Sequence, residues 1–380
     1  MPKGRARRRL TVRTRRGLSR LASWTRHEAS NETLSLVVSA IVVGSLAGLA
    51  AVGFDAMVHG TGAFVADLRS RIGGVNAALV TLLTPALGGL LVAPIVVRLA
   101  PDARGSGIPH VMVAVSNLGG RVSRRLLLWR PLATVLSIGS GASLGTEGPV
   151  VQMGAALASL VSSRWRLNDE RRRNLVAVAA AGGIAATFNA PIAGVLFALE
   201  VVLGQFQGRY FASVVVGAVS ATAVSRSLLG DAPAFTVPPD YVLGSPLELP
   251  IYFLLGVLAS FVGVAFIRVM VGSEDLLNVL KVRAWARPAL GGLVVGALAL
   301  LVPEVLGRGY ETTGAVLNGE LHAPAFLLAL MVGKVLATGV SIGSWGSGGI
   351  FAPVLMVGAI FGTLVGEAAG ALLPQLGLRP

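Results

Sequence analysis

The sequence predicts an all-α polytopic membrane protein whose helices are interrupted inside the bilayer. Three observations carry this prediction. The first is composition: 54% of the 380 residues are hydrophobic and 13% charged, with a mean hydropathy of +0.75, whereas a soluble domain carries about 25% charged residues. The second is a series of nine apolar runs, at about 34–54, 76–100, 126–142, 174–203, 208–229, 249–273, 286–303, 323–342 and 350–373. Each approaches or exceeds the roughly 20 residues that a spanning helix needs. The third is a set of glycine and proline turn signals inside or beside those runs.

The elements follow in chain order. Residues 1–26 hold ten Lys and Arg and no acid, which accounts for most of the net charge of +14, since the remaining 22 basic residues face 18 acidic ones. A basic arm next to an apolar run reads as a cytoplasmic segment, residues 1–33, lying on anionic lipid headgroups rather than as a nucleic-acid arm. The run from Leu34 is too long for a signal-peptide core. With no cysteine, disulfides and thiolate metal sites are excluded, and His27, His59, His110 and His322 have no metal-ligand spacing. No metal and no cofactor are expected.

Basic residues recur at Arg121/Arg124/Arg125/Arg130, at Arg164/Arg166 with Arg171–Arg173, and at Lys281/Arg283/Arg287, while 230–250 contains acids and no base. The positive-inside rule puts the three basic loops and the N-terminus in the cytoplasm and 230–250 outside, with one long helix on each side of it. This divides the chain into a first transmembrane repeat, 34–229, and a second, 249–380.

The turn signals are Gly105-Ser-Gly-Ile-Pro109, Gly145-Thr-Glu-Gly-Pro149, Phe188-Asn-Ala-Pro191 and Gly346-Ser-Gly-Gly-Ile-Phe-Ala-Pro353. Irregular backbone at membrane depth is tolerated where it is buried in protein or lines a polar cavity, and broken helices in corresponding places point to a transport site. Sliding the chain by 204 residues lays Gly145, Pro149, Val150, Gly154 and Ala155 on Gly349, Pro353, Val354, Gly358 and Ala359, with Glu147 on Phe351. The same offset carries Gly183–Glu200 past Pro380, so the second repeat reads as incomplete.

Glu147 is a lone carboxylate in apolar surroundings. A carboxylate within a membrane is costly and marks a functional site by default. The glycines before it and Pro149 after it predict a helix starting at membrane depth, where free N–H groups and the positive dipole end suit an anion. Glu147 would be that anion's stand-in or its gate.

These four segments resemble signatures of the CLC family of chloride channels and chloride/proton antiporters: Gly105-Ser-Gly-Ile-Pro109, Gly145-Thr-Glu-Gly-Pro149, Gly183-Ile-Ala-Ala-Thr-Phe-Asn-Ala-Pro-Ile-Ala-Gly-Val-Leu-Phe-Ala-Leu-Glu200 and Gly348-Gly-Ile-Phe-Ala-Pro353. The resemblance spans about 105–366. It implies an inverted-repeat fold with broken helices, a homodimer, and a chloride path lined by helix N-termini. It matches Ser106 to the serine whose hydroxyl contacts the ion, with Gly107 and Ile108 beside it and Gly148 next to the gate. Ile350, Phe351 and Ala352 match main-chain donors from the other repeat, and Glu147 matches the gating glutamate. Main-chain N–H groups and a hydroxyl replace the ion's hydration without the tight grip of a full positive charge.

Two departures bear on activity. Family antiporters carry an acid that relays internal protons directly after the position of Glu200, where this chain has Val201. That favours uncoupled, channel-like chloride movement, unless Glu200 one position earlier serves the proton path. The family's final helices and pore tyrosine have no counterpart before Pro380, which makes a non-conducting relative the reading from another class. Coupled antiport is the nearest rival, and fluoride export fits the Ser106 loop less well. No His-Glu-x-x-His or Gly-x-Ser-x-Gly and no paired acids suggest an enzyme.

Overall fold

The computed structural model describes residues 4–72, 74–204, 208–235 and 246–373. Among them every regular element is helical: α1 (Gly4–Ile72), α2 (Gly74–Pro94), α3 (Ile108–Asn117), α4 (Leu126–Ser140), α5 (Glu147–Arg164), α6 (Asp169–Phe188), α7 (Pro191–Phe197), α8 (Gly208–Leu229), α9 (Leu249–Val279), α10 (Arg287–Leu301), α11 (Tyr310–Leu317), α12 (Pro324–Gly343) and α13 (Phe351–Leu372). Six of these are long and apolar enough to cross a bilayer, and three shorter apolar helices, at Leu126–Ser140, Pro191–Val202 and Arg287–Leu301, account for the rest of the nine runs.

Boundaries differ from expectation for identifiable reasons. The run expected at 34–54 continues as one helix to Ile72, because nothing between Asp55 and Ile72 breaks it. At 1.5 Å per residue the helix runs roughly 27 Å past the end of that stretch, with Asp55 and His59 in its first turns beyond it. The run 174–203 is two helices. Asn189 adopts a left-handed conformation, φ 55°, and Pro191 opens α7 at its first turn, where its missing N–H costs nothing. α6 starts from Asn168, whose side chain accepts from the Arg171 amide at 2.9 Å. From Asn174 to Ala186 it is buried all round, the mark of a central helix. Of the acidic segment 230–250, residues 236–245 lie outside the described residues.

The 204-residue repeat extends over five helices: α1–α5 correspond in order to α9–α13. The loops before α3 and α11 share their backbone, with φ 61° at Gly105 and 84° at Gly107 matched by 64° at Gly307 and 81° at Gly309. Only glycine enters this region freely. The two halves meet where α2 crosses α10. A Cβ on Gly89 would lie 2.1 Å from the Pro288 carbonyl, and one on Gly292 would lie 2.1 Å from the Pro85 carbonyl. The helix backbones therefore touch, as small residues permit in membranes.

Each half also carries one fully buried cation at the same place. Arg130 in α4 donates to the carbonyls of Ala103 (2.5 Å), Gly105 (2.8 Å) and Ser106 (2.9 Å). Lys334 in α12, 204 positions on, donates to those of Val305 (3.0 Å) and Gly307 (2.9 Å). Arg130 is thus not part of the basic loop to which its sequence neighbours assign it. It is 0% exposed, one turn inside α4, and it satisfies carbonyls that the broken helices leave open.

Replacing Arg130 by Met strands three carbonyls, so we expect a loss of about 3 kcal/mol or more, and a smaller loss of about 2 kcal/mol for Lys334→Met. Thermal unfolding in detergent checks the order of the two.

Candidate functional site

Three helices begin at one point. Gly105 and Ser347 form a parallel bridge, and Gly145 and Gly349 an antiparallel one. The Gly105 amide donates to the Gly346 carbonyl at 2.9 Å, while Gly145 and Gly349 exchange amide bonds at 2.7 and 2.6 Å. These contacts join the loops that lead into α3, α5 and α13. A helix start leaves its first N–H groups without intrahelical partners, so three sets of donors and three positive dipole ends converge at this junction.

The sequence-predicted residues gather here. Gly107, Ile108, Gly148 and Ala352 are buried, Ser106 and Ile350 half-buried, and Phe351 is 37% exposed. Gly148 is packed so closely that a Cβ on it would lie 2.0 Å from the Ser106 carbonyl. The Phe351 ring stands edge-on to Phe197 of α7 with centroids 5.9 Å apart, so the ring packs sideways while the main chain faces the junction. Glu200 does not join them. It is exposed in a single π-turn, Ala198–Val202, that extends α7, and its spacing of four puts it in line with exposed Ile192 and Leu196.

Glu147 is the first residue of α5 and 0% exposed. Its Oε1 accepts from the Tyr310 hydroxyl at 2.5 Å. The backbone amides of Glu147 itself and of Ala352 lie against the carboxylate, although Oε2 completes no well-aligned hydrogen bond. The carboxylate therefore sits where the dipoles of α5 and α13 meet. Among the described residues no cation lies in the junction itself. The Arg130 charge stands behind the Ser106 loop, with its bonds directed to carbonyls, so it adds positive potential without entering the junction.

Sequence reasoning missed Tyr310, Arg308, Asp55 and the roles of Arg130 and Lys334. Two signals were available. Arg130 and Lys334 are lone bases in apolar runs at the repeat offset. Gly307-Arg-Gly-Tyr310 repeats the spacing of Gly105-Ser-Gly-Ile108 at an offset of 202.

An inverted repeat with helix starts converging on a buried carboxylate defines a broken-helix membrane transport protein. A family model described as "Voltage gated chloride channel" matches residues 88–380. The chain is 35% identical over 368 residues to the H(+)/Cl(-) exchange transporter ClcA of Vibrio parahaemolyticus, covering 91% of this chain and 76% of that one. It is 37% identical over 301 residues to a putative chloride channel protein ClcB-like of Ralstonia nicotianae, covering 77% and 69%. A solved slow cyanobacterial Cl-/H+ antiporter superposes with a TM-score of 0.82 at 28% identity, covering 90% of this chain and 81% of that one. The chain belongs to the CLC family of anion-transport proteins.

Gly148→Ala should abolish chloride binding in detergent, measured by titration calorimetry. Gly358→Ala, where an added Cβ meets nothing within 4 Å, should leave it unchanged.

Proposed function

We propose that this chain passes chloride across the cell membrane through the junction of α3, α5 and α13, without coupling to protons. Ser106, Gly107, Ile108, Gly148, Ile350, Phe351 and Ala352 border the ion, and Glu147 is the gate. The observation that supports this most directly is the buried Glu147 carboxylate held among three helix starts. Its oxygens mimic the anion, so protonation, which removes the negative charge, frees the position for chloride.

The lack of coupling rests on Val201, which has no titratable group, and on the outward placement of Glu200. Proton-coupled exchange is the second reading. It is favoured by the names of relatives such as the Vibrio parahaemolyticus exchange transporter, and it would use Glu200 as the inner proton donor. The basic loops and the N-terminus are assigned to the cytoplasm. The exposed apolar residues of α7 and α8, among them Ile192, Leu196 and Val219, are assigned to a homodimer contact or to lipid.

In chloride-loaded liposomes, recording efflux and external pH together, the parent protein should release chloride with no opposing proton movement. Glu147→Gln should raise the rate and remove its activation by acid. Proton movement opposite to chloride, lost in Glu200→Gln, would establish the exchanger instead. Absence of chloride flux from folded protein would overturn both readings.

A further inference from the structure

Tyr310 is the repeat mate of Ile108. The glycines around both residues have the same backbone conformation, so the duplicated frame places the first residue of α11 as it places the first residue of α3. The side chains differ completely. Ile108 is buried and apolar. Tyr310 reaches across the junction to Glu147 Oε1 at 2.5 Å.

The phenol is firmly held. Its ring packs edge-on to Phe235 with centroids 5.2 Å apart and lies 6.4 Å from Phe188. The Arg308 guanidinium lies over it at 5.0 Å. Arg308 is in turn fixed by α1, pairing with Asp55 at 2.5 Å and reaching the His59 ring at 3.0 Å. His59 itself contacts Asp55 at 3.1 Å. Beyond lies a cavity of about 450 Å³, lined by His59, Arg69, Arg308, Tyr310 and Glu311 among others. Tyr310 thus stands between that cavity and the gate.

We propose that Tyr310 is a latch: its hydroxyl holds the ionised Glu147 carboxylate in the junction, and Arg308 of the cavity wall, itself paired with Asp55, keeps the phenol in place. This rests on Glu147 acting as the gate of the chloride path. Tyr310 is a positioning residue, acting on the ion only through Glu147. The charged and titratable groups that face it are Arg308 on its own loop and Asp55 and His59 on α1, with Arg69 and Glu311 further along the cavity wall.

The test is chloride efflux from liposomes across an external pH series. Tyr310→Phe keeps the ring and removes the hydroxyl. It should raise efflux at neutral pH on the order of tenfold, since a hydrogen bond to a charged group accounts for at least that factor. It should also flatten the activation by acid, which a merely structural role would not change. Asp55→Asn, which frees Arg308 without touching the ring, should shift rate and profile the same way by less. On a Glu147→Ala background neither substitution should add anything.

An unchanged rate and pH profile in folded Tyr310→Phe would overturn the latch. So would an increase that persists on the Glu147→Ala background. If Tyr310→Phe does not fold, an unchanged Asp55→Asn has the same meaning. If Glu147→Ala alone leaves flux unaltered, the gate assignment fails and the latch with it.

Discussion

The structure depends on one constraint: backbone polar groups exposed by breaking a helix inside a membrane must find partners within the protein. Three helices start at the junction, and each start frees N–H groups, while the loops that lead into them free carbonyls. The two kinds of group are treated differently. Carbonyls before α3 and α11 are taken up by Arg130 and Lys334, two cations that approach from the helices behind. Amides at the starts of α5 and α13 are left turned toward Glu147. The separation of donors from acceptors leaves the junction with an excess of N–H groups around the Glu147 carboxylate.

Close backbone approach is what makes that separation geometrically feasible. The loops bridge one another through Gly105, Gly145 and Gly349, and Gly148 abuts the Ser106 carbonyl. Behind them the alanine-rich α6 fills the centre, and paired glycines let α2 and α10 touch. A side chain at Gly148 or Gly145 would collide with the Ser106 carbonyl or the Glu147 carboxylate and displace a helix start. The glycines that read as flexible turn signals in sequence are packing surfaces in the structure.

Much of the fold was legible beforehand. Composition and run length gave the membrane class, and the four glycine–proline segments located the broken helices. The 204-residue repeat was visible at α5 and α13 because small residues recur there. Its full extent over five helices was not, since elsewhere only sparse marks recur, two glycines at an offset of 202 rather than 204 and one base in each of α4 and α12. The gathering of Ser106, Glu147 and Phe351 followed from the motifs. The partner of Glu147 did not, because Tyr310 lies 163 positions away and its Gly-x-Gly loop marks a helix start without marking a partner. Arg130 was misplaced because sequence proximity to Arg121–Arg125 outweighed its position inside an apolar run. α1 was cut short because polarity resumes at Asp55 while helical structure does not end there.

The duplicated frame has unequal furniture. At one approach to the junction the loop between the two glycines offers a serine; at the corresponding approach it offers a guanidinium, neutralised only in part by Asp55 and followed by a phenol instead of an isoleucine. A passage with identical mouths would treat traffic in the two directions alike. Here a neutral hydroxyl, Ser106, stands between one pair of glycines and a guanidinium, Arg308, paired with Asp55, between the other, so the field around the second loop is the one that responds to ionic strength. The fold therefore combines a backbone skeleton that repeats with side chains whose charge does not.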